Sequence, residues 1–237
     1  MAWTLVTGGG CRLGAQICQI LAQAGHHPIV HYRHREAEAW EVVRLCRAFG
    51  RQASAIQGDF STLDTTQEFI ERYTKAFPET ENLINNVGNY FIQSALETSL
   101  EKWTELFQVN LHAPLALIQA LKPSLISFKG SVINLGVSGL LSGRANTNCT
   151  AYYLTKMGLW QLTRSVAREL APNGVRVNMV SPGQLEISID LPIDFSKIPM
   201  QRPAHCKEVG RVIAFLLHKE NAYITGQNIE VAGGLGL

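Results

Sequence analysis

Two side chains four positions apart, Tyr152 and Lys156 in "TAYYLTKMG", would project from one face of a helix and together could pass a proton to a substrate. A phenol ordinarily ionises near pH 10, about three units too high for easy proton exchange at neutral pH. A nearby ammonium stabilises the phenolate, lowers that value and makes the phenol a usable general acid. Tyr153 is off by one position and would face elsewhere. A tyrosine and lysine at this spacing also arise by chance, so the pair takes its meaning from its surroundings.

A second chemical signal is the stretch "VTGGGCRLG", Val6 to Gly14, between a strand-like run and the helical pattern "AQICQILAQAGH". Glycines there let backbone approach phosphate oxygens at a helix N-terminus, which suits a dinucleotide pyrophosphate. Gly8 and Gly14 are the expected contacts. The spacing is not GxGxxG, because Leu13 stands in the third glycine's place counted from Gly8 and Gly10. Arg12 is a large residue for such a turn, and its presence implies a partner for a guanidinium.

The second strand ends in "HYRHRE", where dinucleotide folds that prefer NAD place an acid against the ribose hydroxyls. Here Arg33, His34 and Arg35 offer donors suited to a 2′-phosphate, so NADPH is expected over NADH. The plainer alternative is a solvated helix start with Glu36 and Glu38 as local partners.

The elements that must position these groups alternate along the whole chain. Strands are predicted at "WTLVT", "PIVHY", "ASAIQ", "NLINN", "SVINLG", "VRVNMVS" and "NIEVA", with a helix after each of the first six. This is the pattern of an α/β fold: a doubly wound Rossmann-type parallel sheet in three layers, one domain over residues 1–237. Connections are expected to be short apart from two irregular insertions, Ser138 to Cys149 and "SPGQLEISIDLPIDFSKIPMQRP". Both follow strands, where such sheets bind ligands beyond the carboxyl ends, so both should enclose a substrate.

With 46% apolar and 17% charged residues the chain can bury a sizeable core. A net charge of +2, with no basic segment, points away from nucleic-acid and membrane surfaces and toward a small-molecule substrate. Five cysteines with no CxxC pair and no metal-like spacing suggest reduced thiols and no metal. "MAWTLVTGGG" enters the first strand directly, which argues against a secretory leader and for a cytoplasmic location.

The ordered set of TGGGxRxG, "NNVG" after strand four, "VN" with Asn110, a serine after strand five, YxxxK, and "SPG" after strand six resembles the short-chain dehydrogenase/reductase family over essentially the whole chain. That resemblance implies Tyr152 as proton donor and Lys156 as the group that holds the nicotinamide ribose and lowers the tyrosine pKa. Ser138 would orient the carbonyl, and Asn110 would support a proton-relay water. Asp59 and Phe60, Asn86 and Gly88, and Pro182 and Gly183 fall in turns expected to meet the cofactor, beside Leu13. Ser138 lies one residue farther from the tyrosine than the family's usual spacing, and counted from the strand Val137 takes its slot. The family commonly pairs through the helix carrying the tyrosine, so a homo-oligomer, a dimer or tetramer, is expected, with Leu159, Leu162 and Val166 on the interface.

Within that family, pteridine reductases carry arginine followed by Leu-Gly in the first turn and "HY" with a basic segment after strand two, as this chain does. A pteridine substrate is the resulting expectation, with Arg12 contacting cofactor phosphate and one edge of the heterocycle and Tyr90 stacking on it. The alternatives are a 3-oxoacyl-[acyl-carrier-protein] reductase or other ketone reductase, and a non-catalytic NADP(H)-binding regulatory protein.

Overall fold

The seven β-branched, apolar runs are the seven strands of a single parallel sheet in the computed structural model, which describes residues 2–191 and 194–235. They are β1 (Trp3–Val6), β2 (Pro28–Tyr32), β3 (Ser54–Gln57), β4 (Thr80–Asn85), β5 (Ser131–Leu135), β6 (Arg176–Pro182) and β7 (Asn228–Val231). Helices α1 (Arg12–Gln23), α2 (Glu36–Ala48) and α3 (Leu63–Ala76) follow the first three. Then come α4 (Leu100–Phe107) and α5 (Ala113–Phe128) after β4, α6 (Thr150–Leu170) after β5 and α7 (Cys206–Leu217) after β6.

Successive strand residues point to opposite faces, so both faces are apolar. Leu5, Ile29, Leu83, Val132 and Val177 pack under α3, α5 and α6. Their neighbours Val6, Val30, Ile84, Ile133 and Val180 pack under α1, α2 and α7. The three layers follow from this alternation. The strand order is β3-β2-β1-β4-β5-β6-β7, so the chain winds outward in both directions from β1 and β4. Loops leaving those two strands part in opposite directions, and a crevice opens at their carboxyl ends.

Three details differ from the sequence reading. The crossover after β4 holds two helices rather than one, joined by a π turn over Gln108–His112. Pro114 has no N–H to return to the Asn110 carbonyl, and the Ala113 N–H reaches back five residues to Gln108 O instead. The connection before α4, residues 86–99, is also longer than expected and carries no helix or strand of its own. The third difference concerns α6. Leu159 and Val166, expected at an intersubunit face, are 1% and 8% exposed within the subunit's own core, and Leu162 packs beside them. That apolar stripe is spent on covering the sheet.

Among the described residues no helix is long and apolar enough to cross a membrane. All five cysteines are free thiols.

Candidate active site

The glycine-rich turn lies at the crevice, and its geometry explains which small residues matter. Gly8 has φ of +63°, a left-handed conformation that glycine adopts freely. A Cβ on Gly14 would sit 2.0 Å from Gly8 O, so the helix start and the turn touch backbone to backbone. The close third glycine is thus position 14, and Leu13 lines the cavity beside it. Asn86 fixes the turn from β4, donating from Nδ2 to Thr7 O at 2.9 Å and Gly8 O at 3.3 Å. From β2, buried His31 accepts the Gly8 N–H at Nδ1 (2.9 Å) and gives its Nε2 proton to Gly58 O (3.2 Å). The Phe60 ring stacks on His31 with centroids 4.4 Å apart. Burial pulls the His31 pKa down to about 4, which keeps the ring neutral and both bonds intact at neutral pH.

Two cavities meet at Gly8 and Cys11. The smaller, about 230 Å³, is walled by Arg33, His34 and Arg35 from the end of β2 and by Asp59 and Phe60 after β3. Arg33 Nε sits 3.1 Å from Asp59 Oδ1, and Arg35 lies 3.8 Å from Glu38. Each arginine therefore has an acidic neighbour, that of Arg33 supplied by the loop after the third strand rather than by the local helix. Both pairs are solvent-exposed enough to be weak and exchangeable.

The larger cavity, about 660 Å³, gathers Tyr152, Lys156, Ser138, Gly88, Pro182 and Gly183 with the turn residues Arg12, Leu13 and Gly14. Lys156 is buried on α6, donates to Leu135 O at 2.8 Å and lies 5.6 Å from the Tyr152 ring centroid. A Cβ on Gly88 would lie 3.4 Å from the Lys156 ammonium, in ordinary van der Waals contact, so this glycine sits beside the lysine. Burial lowers the Lys156 pKa to about 8. Burial also pushes the Tyr152 phenol well above its ordinary value, helped by the nearby Cys149 and Asp190. The sequence reading has a nearby ammonium depress the tyrosine; in the structure burial, with Cys149 and Asp190, raises it instead. Tyr153 faces elsewhere, as its register predicted, and donates to Gly139 O and Leu140 O.

Asn110 is fully buried in the π turn. Its Oδ1 accepts the Asn89 N–H at 2.8 Å, and its Nδ2 serves Asn89 O at 3.0 Å and Thr155 Oγ1 at 3.1 Å. It is therefore anchored to the helix of Tyr152 and Lys156. Ser138 reaches the cavity and its N–H donates to Pro182 O at 3.0 Å. Val137, the competing residue for that slot, also borders the cavity and packs against the cluster of Leu140, Leu159 and Met179.

Arg12 and Tyr90 line the larger cavity, and their partners were invisible in the sequence. The Arg12 guanidinium donates to the carbonyl of Ile187, in the insertion after β6. Its backbone is left-handed, with φ of +51°, a conformation that glycine adopts without the Cβ penalty an arginine meets. Tyr90 stands edge-on to Tyr152, centroids 4.8 Å apart, and donates to Asp190 Oδ2 at 2.9 Å. Sequence reasoning missed His31, Asn89, Thr155 and Asp190. The "HY" dipeptide and the residue before Lys156 were seen without their meaning, and nothing local marks Asp190.

A family model described as Enoyl-(Acyl carrier protein) reductase matches residues 11–236. A 3-oxoacyl-[acyl-carrier-protein] reductase of Staphylococcus epidermidis is 30% identical, the match covering 98% of this chain and 97% of that protein. Among solved structures, a short chain dehydrogenase from Burkholderia cenocepacia in complex with NADP superposes with a TM-score of 0.90 at 28% identity, covering 100% of this chain and 98% of that one. An acetoin dehydrogenase from Enterobacter cloacae gives a TM-score of 0.89 at 28% identity, covering 99% and 95%.

Proposed function

The chain belongs to the short-chain dehydrogenase/reductase family, and on that premise we propose that it is an NADPH-dependent reductase of small carbonyl compounds. The observation that carries the reading is the meeting of Tyr152 and Lys156 at one cavity with the glycine turn, with the buried π-turn Asn110 bonded to Thr155 of the same helix behind them. The protein fits the cofactor: Gly14 leaves room where a Cβ would block the turn, and the two joined cavities suit the two halves of a dinucleotide. The NADP and 3-oxoacyl relatives support the same choice.

The glycine turn, Arg33 and Lys156 would hold NADPH, which when bound would supply the hydride for the carbonyl carbon. Tyr152 gives its phenolic proton to the carbonyl oxygen, so that the product is an alcohol. Its raised pKa keeps that proton in place through neutral pH. Lys156 holds the cofactor ribose and replaces the proton charge lost from Tyr152, and Ser138 orients the carbonyl. Asn110 fixes the backbone of Asn89 and bonds Thr155 on α6, which holds the tyrosine-bearing turn against the π turn.

A ketone is the first choice of substrate. A pteridine is the second reading, favoured by Arg12 and Tyr90 at the same cavity. None of the relatives named above is a pteridine reductase, and Arg12 has a backbone partner in Ile187. The test is NADPH oxidation with a panel of small ketones, an acetoacetyl thioester and a dihydropterin. Tyr152→Phe should reduce turnover about a hundredfold while leaving NADPH affinity within about twofold. Ketone turnover in the parent supports the reading, and turnover confined to the pterin reverses the order of the two. Equal activity of Tyr152→Phe removes Tyr152 from the mechanism.

A further inference from the structure

Resting on the carbonyl-reductase reading, the geometry points to Asp190 as a specificity-determining residue that selects carbonyl substrates bearing an ammonium or hydroxyl donor beside the carbonyl. Asp190 sits in the insertion after β6 and lines the same cavity as Tyr152. Its Oδ2 accepts the Tyr90 hydroxyl at 2.9 Å. Among the described residues its Oδ1 has no hydrogen-bond partner, and no basic group pairs with it. The cavity's cations Arg12 and Lys156 donate to backbone carbonyls, of Ile187 and Leu135, and neither is ion-paired with Asp190.

Tyr90 joins this carboxylate to the reaction centre. Its ring edge meets Tyr152 at 4.8 Å between centroids, and its hydroxyl holds Asp190, so the carboxylate is one side chain removed from the proton donor. In the open cavity water can satisfy the free oxygen. A substrate that fills the space between Tyr152 and the insertion displaces that water, and a carboxylate left unpaired there opposes binding. An ammonium or hydroxyl on the neighbouring carbon returns the missing hydrogen bond, and an ammonium adds charge pairing. The simple alkyl chain of an unsubstituted ketone returns neither. The negative charge near Tyr152 also resists formation of the phenolate, and a cationic substrate group between them relieves that resistance.

The experiment separates this proposal from turnover. Binding of 1-amino-2-propanol and 2-butanol, alcohols of matched shape, is measured by isothermal titration calorimetry on the NADP⁺-loaded protein. The amino alcohol should bind about ten- to a hundredfold tighter. Asp190→Asn, which keeps an acceptor for Tyr90 but loses the charge, should abolish most of that advantage, and Tyr90→Phe should leave it standing. Equal binding of the two alcohols to the parent overturns the proposal, as does an advantage that survives in Asp190→Asn. Comparing kcat/KM for aminoacetone and 2-butanone in parent and Asp190→Asn then reads the same preference in catalysis, and the ratio cancels the ketones' intrinsic reactivities. If neither ketone is reduced while the binding preference and its loss are both seen, the reductase reading fails and the donor-selective carboxylate stands. If both ketones are reduced at a ratio unaffected by Asp190→Asn, the reductase reading stands and Asp190 is not its selector.

Discussion

His31 ties the glycine-rich turn to the loop after β3 through a ring that must stay neutral, and acid should therefore loosen this part of the fold. The unfolded chain binds a proton on this histidine below about pH 6.5, whereas the native ring resists protonation down to about 4. Between those values the unfolded state carries more protons, so stability falls as pH falls; above pH 6.5 the contribution is fully present. The interval from 6.5 to about 4 corresponds to about 3 kcal/mol at a residue that is only 2% exposed. His31→Phe isolates the effect. Phenylalanine preserves the stacking on Phe60 but leaves the Gly8 N–H and Gly58 O without their partner, at a cost of about 2 to 4 kcal/mol at pH 7. Urea unfolding of parent and variant at pH 7, 5.5 and 4, followed by circular dichroism, gives the gap at each pH. It should shrink by about 3 kcal/mol from pH 7 to pH 4 as the parent loses its advantage. A gap that stays constant across this range would refute a neutral, hydrogen-bonded His31.

Lys156, lowered to about 8 by burial, should lose its proton in the free enzyme just above neutrality. kcat/KM for reduction is then expected to fall about tenfold per pH unit above 8, and a flat profile to pH 10 contradicts a role for the ammonium. At position 12 the left-handed backbone strains any residue with a Cβ. Arg12→Gly should be more stable than Arg12→Ala by about 1 kcal/mol in thermal melts, although both lose the bond to Ile187 O, and the reverse order removes the strain argument. Arg33 borders the smaller cavity, and its pairing with Asp59 is weak enough to yield to a phosphate. The parent should bind NADPH at least about tenfold tighter than NADH, and Arg33→Ala should erase most of that difference by weakening NADPH alone. Equal affinities in the parent exclude a 2′-phosphate site there.

The fold was legible because each layer leaves a local mark. Strands buried on both faces must be continuously apolar, helices on a sheet must be amphipathic, and β5 "SVINL" and α6 "TAYYLTKMGLWQLTRSVAREL" each carry their period within a few residues. Tyr152 and Lys156 were legible for the same reason, since a shared helix face is fixed by four residues of spacing. That reasoning failed for Leu159 and Val166, because an apolar stripe announces burial without saying whether its partner is the same sheet or another subunit.

Other parts of the site were decided only by tertiary structure. The Asn110 turn depends on Pro114 withholding one N–H and on Thr155 arriving from another helix. Asp190 meets Tyr90 across 100 residues of chain, and Arg12 meets Ile187 across 175, through loops with no period to read. The protonation states of Tyr152, Lys156 and His31 are set chiefly by burial. Sequence spacing can say which groups share a face, but desolvation depends on everything packed around them, and that is known only once the chain has folded.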